Sequence, residues 1–148
     1  MQHPTKVGFY LLQRPCADGR LRVACRLTET AFQRGHRVYI HTSDPAMTDA
    51  MDRLLWTFAE RSFVPHATTK THDVNHGDAP VVIDSADPGE EFDDVLVPLL
   101  KDIPPYYTRF HRVMEAVDTE DVEKQTARER YKQYREHGTE PETHKINP

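Results

Sequence analysis

The residues best spaced to do chemistry lie near the end of the chain, in a helix expected from Glu120 to about Glu136 and continuing as DVEKQTARERYKQYREHG. At 3.6 residues per turn, Lys124, Arg128, Tyr131, Lys132 and Arg135 fall at i, i+4, i+7, i+8 and i+11, and so share one face. Glu123, Glu129 and Glu136 mostly lie off that face. Four cations set around one phenol ring are suited to docking an acidic ligand with a hydrophobic tip. The same composition also describes a solvated helix whose Glu and Lys/Arg residues pair at i,i+4. Residue types alone leave both readings open.

Other reactive groupings are weaker. His66, His72 and His76 stand at spacings of six and four in an irregular stretch, with no helix to align them and no thiolate to join them, which argues against a metal. Asp84, Asp87, Glu90, Glu91, Asp93 and Asp94 crowd one stretch, where Mg²⁺ coordination competes with the simpler reading of a solvated acidic loop. Cys16 follows the first strand, where α/β nucleophiles often sit, but no CxxxxxR phosphate loop comes after it. The single Gly19 in that turn makes no GxGxxG, and neither a GxxxxGK[ST] loop nor a GxSxG elbow occurs. No catalytic site and no cofactor are therefore expected.

The elements that must position the basic stripe follow from periodicity. KVGFYLL (6–12) reads as a buried first strand. After a turn at 13–19, Leu21, Ala24, Cys25, Thr28, Ala31 and Phe32 form a helix face, which Gly35 ends in a left-handed conformation. RVYIH (37–41) is a second strand, so this part is a βαβ unit with parallel strands. Asp44 as N-cap and Pro45 at the first helical position open a second helix, buried through Met47, Ala50, Met51, Leu54, Leu55 and Phe58. Trp56 lies at the edge of that stripe, either packing under the following loop or awaiting a partner. Phe63, Val64 and Pro65 have no strand to join, and 68–78 is a polar loop. PVVID (80–84) and DVLVPL (94–99) are strands whose ten-residue linker is too short for a helical crossover. Pro104-Pro105 opens a short helical segment through Phe110, and 112–117 fits either its extension or a fifth strand; α/β alternation up to a capped helix start at Asp118-Thr119 favours the strand. Residues 138–148 read as an extended or frayed tail.

With 148 residues, 37% hydrophobic and 29% charged, one domain spanning 1–148 is expected. No apolar run approaches the roughly eighteen residues of a membrane span, and MQHPTK has no signal-peptide core. Two cysteines outside CxxC spacing suggest no disulfide framework and a reducing cytoplasm. A formal charge of −5 argues against broad duplex-DNA binding.

Taken together, FYLL, RVACRLTETAFQRGHRVYIHTSD, LLWTFAERSFVPH and ARERYKQYR, with DVLVPL between them, resemble the chi subunit of bacterial DNA polymerase III holoenzyme over nearly the whole chain. The LLW-to-SFVPH and RERYKxYR stretches are the specific ones; the departures are the 68–78 and 84–94 loops and a few extra residues at each end. The resemblance implies a three-layer Rossmann-like α/β domain, with a mostly parallel sheet of about five strands flanked by helices. It also implies a cytoplasmic, non-catalytic replisome protein that pairs with the psi subunit and binds the acidic C-terminal tail of single-stranded DNA-binding protein. DNA would be met only indirectly, and a membrane not at all. Carried over by position, the tail site would be Lys124, Arg128, Tyr131 and Lys132 with Val117 as apolar wall. The psi surface would involve Trp56, Phe63, Val64, Pro65 and His66. The rival reading is direct single-strand binding by the last helix, with Tyr131 and Tyr134 stacking on bases.

Overall fold

Apolar runs of four to seven residues become the inner strands of one sheet. A computed structural model describes residues 4–58, 65–68 and 79–147. Its strands are β1 (Lys6–Leu12), β2 (Val38–Thr42), β3 (His66–Thr68), β4 (Val81–Asp84), β5 (Val95–Leu99), β6 (Arg112–Val117) and β7 (Glu142–Ile146). They form a single sheet in the order β3-β4-β2-β5-β6-β1-β7, and every pairing is parallel. The helices are α1 (Gly19–Gln33), α2 (Pro45–Thr57) and α3 (Asp121–Glu136), so the three-layer α/β expectation holds.

β2, β4 and β5 are buried at every residue, as parallel strands covered on both faces should be. On one face, α1 and α2 lay Ala24, Leu27, Ala31, Met51 and Leu55 over Ile40, Val97 and Met114. On the other, Ala127 and Tyr134 of α3 cover Val7, Phe9, Val113 and Val117, while Phe92, Tyr107 and Phe110 cover Tyr39, Val82 and Leu96. That second cover is largely non-helical. The linker from Asp84 to Val95 is a loop, as its length requires, and Tyr107–Arg109 is one 3-10 turn. Residues 112–117 are a strand between β5 and β1.

The sheet exceeds the expected five strands by its two edges. β3 is three residues long and pairs with β4, with Thr68, the first residue of the expected polar loop, buried at its end. The remainder of that loop lies outside the described residues. β7 arises within the tail expected to be extended or frayed. Glu142–Lys145 are exposed and lack an apolar pattern, so the strand is specified by backbone pairing with the open edge of β1. The βαβ unit is parallel as expected, but β5 and β6 intervene between its two strands.

Local signals behave as their chemistry demands. Gly35 has φ of +86°, where a side chain would be strained. Asp44 Oδ1 accepts the Met47 N–H at 2.8 Å, with Pro45 following. Asp44→Ala is expected to cost about 1 kcal/mol, read as a lowered midpoint in urea unfolding with the slope unchanged.

Candidate functional site

The carboxyl ends of parallel strands are where open α/β sheets leave room for ligands. Here β1 and β6 end side by side, and α3 begins after only a three-residue turn from Val117, so its first half stands over both strand ends. Between them is a cleft of about 470 Å³. Phe9, Leu11, Val117, Ala127 and Tyr131 provide its apolar lining, and Lys124 and Arg128 its basic wall. Tyr131 is held by Phe9, 5.4 Å between ring centroids, and by a hydrogen bond donated to the Pro141 carbonyl at 3.3 Å.

The structure thus brings together Val117, Lys124, Arg128 and Tyr131, four of the five residues assigned to the tail site. Lys132 is exposed on the same stripe but does not line the cleft. Among the described residues, Lys124, Arg128 and Lys132 make no salt bridge and no side-chain hydrogen bond. Arg135, farther along the stripe, pairs with Glu140 at 3.1 Å. Two uncommitted cations at the lip of an apolar hollow can receive a carboxylate whose neighbouring group is hydrophobic.

The opposite side of α3 carries a network that the sequence reading did not anticipate. Glu115, in the middle of β6, is wholly buried. Arg130 Nε donates to its Oε1 at 2.9 Å, and the Tyr134 hydroxyl donates to its Oε2 at 2.7 Å. Arg20 Nη2 stands 3.9 Å from Oε1 while its guanidinium also donates to the Ala116 and Leu100 carbonyls, both at 3.0 Å. Burial, and then the Glu115 carboxylate, push the Tyr134 phenol well above its ordinary pKa; burial and then Arg130 lower that of Arg20. The network fixes the rotation of α3 about its axis, which aims Lys124 and Arg128 at the cleft. A signal was present: in RVMEAV the period of two puts Glu115 between Val113 and Val117 on one face of a central strand.

Gly19, the first residue of α1, lies against the same corner. A Cβ there would stand 2.3 Å from Asp118 Oδ1, so any larger residue would displace the Asp118 carboxylate at the turn into α3. The expected cap at Asp118-Thr119 is not the helix cap: Glu120 occupies that position without a side-chain bond, and Asp118 Oδ1 instead accepts the Thr119 N–H at 2.7 Å.

At the other end of the sheet, Trp56 is 53% exposed near the end of α2. Its ring lies 4.5 Å from that of His66, whose Nε2 is 3.0 Å from an Asp52 carboxylate oxygen. Pro65 is half-buried beside them in sequence. Phe63 and Val64, the remaining residues assigned to the psi surface, lie outside the described residues.

Two acids of the 84–94 stretch hold the backbone around them. Asp94 accepts the Arg37 N–H at 2.9 Å and contacts the His36 ring; Asp84 accepts the Ala86 N–H at 3.2 Å. Among the described residues, no three His, Cys, Asp or Glu side chains are grouped to hold a metal. His41 Nε2 donates to the Ser85 carbonyl at 3.2 Å while Nδ1 accepts from the Tyr106 hydroxyl, and burial lowers its pKa. Burial pushes the Cys25 thiol up to about 12, which removes it as a nucleophile. No helix among the described residues is long and apolar enough to cross a membrane.

Residues 5–142 match the family model described as DNA polymerase III chi subunit, HolC. The chain is 34% identical over 142 residues to a DNA polymerase III subunit chi of Pseudomonas aeruginosa, covering 96% of this chain and 97% of that protein. It is 35% identical over 134 residues to the Escherichia coli protein of the same name, covering 86% and 88%. Against the Haemophilus influenzae one it is 30% identical over 136 residues, covering 88% and 90%.

Proposed function

The chain belongs to the family of DNA polymerase III chi subunits, and from that premise we propose that it is a non-catalytic tether within the replicase. In this reading the cleft beneath α3 binds the acidic C-terminal tail of single-stranded DNA-binding protein. The surface around Trp56 binds the psi subunit, which joins the protein to the clamp loader. The observation that carries the reading is the pairing of unengaged Lys124 and Arg128 with an apolar hollow walled by Val117 and Tyr131. Arg128 would take the terminal carboxylate as a fork, Lys124 the aspartates ahead of it, and the hollow the closing aromatic ring. Lys132, outside the cleft, would act at longer range.

The two surfaces suit a tether because they are far apart. Trp56 and His66 stand near β3 at one edge of the sheet, and the cleft opens at β6 and β1, four strands away. At ~4.8 Å per strand this is about 20 Å, enough for two partners to bind without collision. Many tails on one coated template raise the local concentration of the replicase, so a micromolar contact of about −8 kcal/mol suffices. Direct base stacking by the last helix is less well supported, since Tyr134 is fully buried under it.

Titration of a labelled acidic peptide ending in Asp-Ile-Pro-Phe tests the reading. Micromolar binding is expected, weakening as salt rises and falling at least tenfold when the C-terminal carboxylate is amidated. Equal affinity for the free and amidated peptides would remove the carboxylate from the cleft and the reading with it.

A further inference from the structure

The cleft has a second wall, which the helical stripe does not supply. β7 runs beside β1 in the register Phe9↔Thr143, Tyr10↔His144, Leu11↔Lys145. Side chains alternate along a strand, so Thr143 and Lys145 project to one face and His144 to the other. Two observations decide which face is which. Phe9, Leu11 and Thr143 all line the cleft. His144 stacks on Tyr10, 4.8 Å between ring centroids, and Tyr10 packs on the side covered by α1 and α2. Lys145 does not itself line the cleft; it emerges at the rim, beside Leu11, on the same face of the sheet.

Its side chain is exposed and, among the described residues, forms no ion pair. The acid nearest along its strand, Glu142, points with His144 to the other face and lies 3.7 Å from it. The one acid lining the cleft, Asp118, already accepts the Thr119 N–H. Lys145 also stands outside residues 5–142, the part of the chain matched to its family.

We infer that Lys145 is a binding residue of this cleft, one that engages the acidic side chains of an extended peptide ahead of its terminal carboxylate. The peptide lies between Lys124 and Arg128 of α3 on one side and Lys145 of β7 on the other, over the floor made by Phe9 and Leu11. This assignment rests on the reading of the cleft as a peptide-tail site. It gives β7 a role beyond closing the sheet edge: selection for tails that are acidic along their length.

The test uses the full chain and two labelled peptides with the same free carboxy-terminal Pro-Phe, one with three aspartates ahead of it and one with asparagines in their place. At low salt, Lys145→Ala is expected to weaken the aspartate peptide about two- to fivefold, and Lys145→Glu about tenfold. Neither should change affinity for the asparagine peptide, whereas Arg128→Ala should weaken both. Unchanged affinity in both Lys145 variants, with Arg128→Ala still effective, would overturn the assignment and leave the tail reading standing. Equal losses with both peptides would also overturn it, since Lys145 would not then be reading the acidic side chains. An ineffective Arg128→Ala would remove the tail reading and this inference together. Matching thermal unfolding curves establish that the exposed substitutions leave the sheet edge intact.

Discussion

Glu115→Ala is expected to destabilise the protein by about 3–5 kcal/mol, seen as a large drop in the urea midpoint. The carboxylate is wholly buried, and its removal leaves Arg130, also buried, without the acidic partner that stands 2.9 Å from it, and the Tyr134 hydroxyl without an acceptor. The cost is that of an uncompensated buried charge, which exceeds what the pair itself contributes relative to apolar side chains. Two comparisons separate these effects. Tyr134→Phe removes a single hydrogen bond to a charged group and should cost about 1.5–3 kcal/mol. Joint replacement, Glu115→Leu with Arg130→Met, strips both charges at similar volume and should recover most of the loss. A Glu115→Ala midpoint close to wild type would mean that the network does not hold α3.

Arg128→Ala is expected to weaken the acidic peptide tenfold to a hundredfold, about 1.5–3 kcal/mol for a charge-assisted contact, while leaving stability unchanged. The two readouts separate because Arg128 is exposed and unengaged, so truncation orphans nothing in the fold. Arg128→Lys should restore little, because an ammonium cannot fork onto two carboxylate oxygens. Lys124→Ala should cost about two- to fivefold as a lost point charge, and Lys132→Ala no more than that. If anisotropy titrations rank Arg128→Ala with Lys132→Ala, the carboxylate docks elsewhere.

The legible parts of the sequence were those where one residue type has one physical reason to be there. Gly35 ends α1, Asp44 and Pro45 start α2, and a ten-residue linker with no room for a helix is a loop. Periodicity alone left 112–117 open between helix and strand, because Val113, Met114 and Val117 suit either; the buried neighbours β1 and β5 make it a strand. The site was half legible. A helical wheel groups Lys124, Arg128 and Tyr131 but cannot tell which of its cations face the strand ends, so it ranks Lys132 and Arg135 with them. β7 was hidden because an edge strand needs no apolar pattern, and Glu115 because a carboxylate inside a strand was not traced to its partners fifteen and nineteen residues away.

The order of strands in the sheet also sets the order in which the protein can be completed. β1 lies between β6 and β7, the last two strands of the chain, and its Lys6 pairs with Arg112. During synthesis its apolar sequence therefore leaves the ribosome long before either neighbour exists. At 5–20 residues per second that wait is roughly 5–20 s, far longer than the microseconds in which chains collapse. Until then the apolar strand has no native neighbour to pair with, the kind of exposed surface that invites aggregation, and the cleft cannot form until nearly all of the protein has been made.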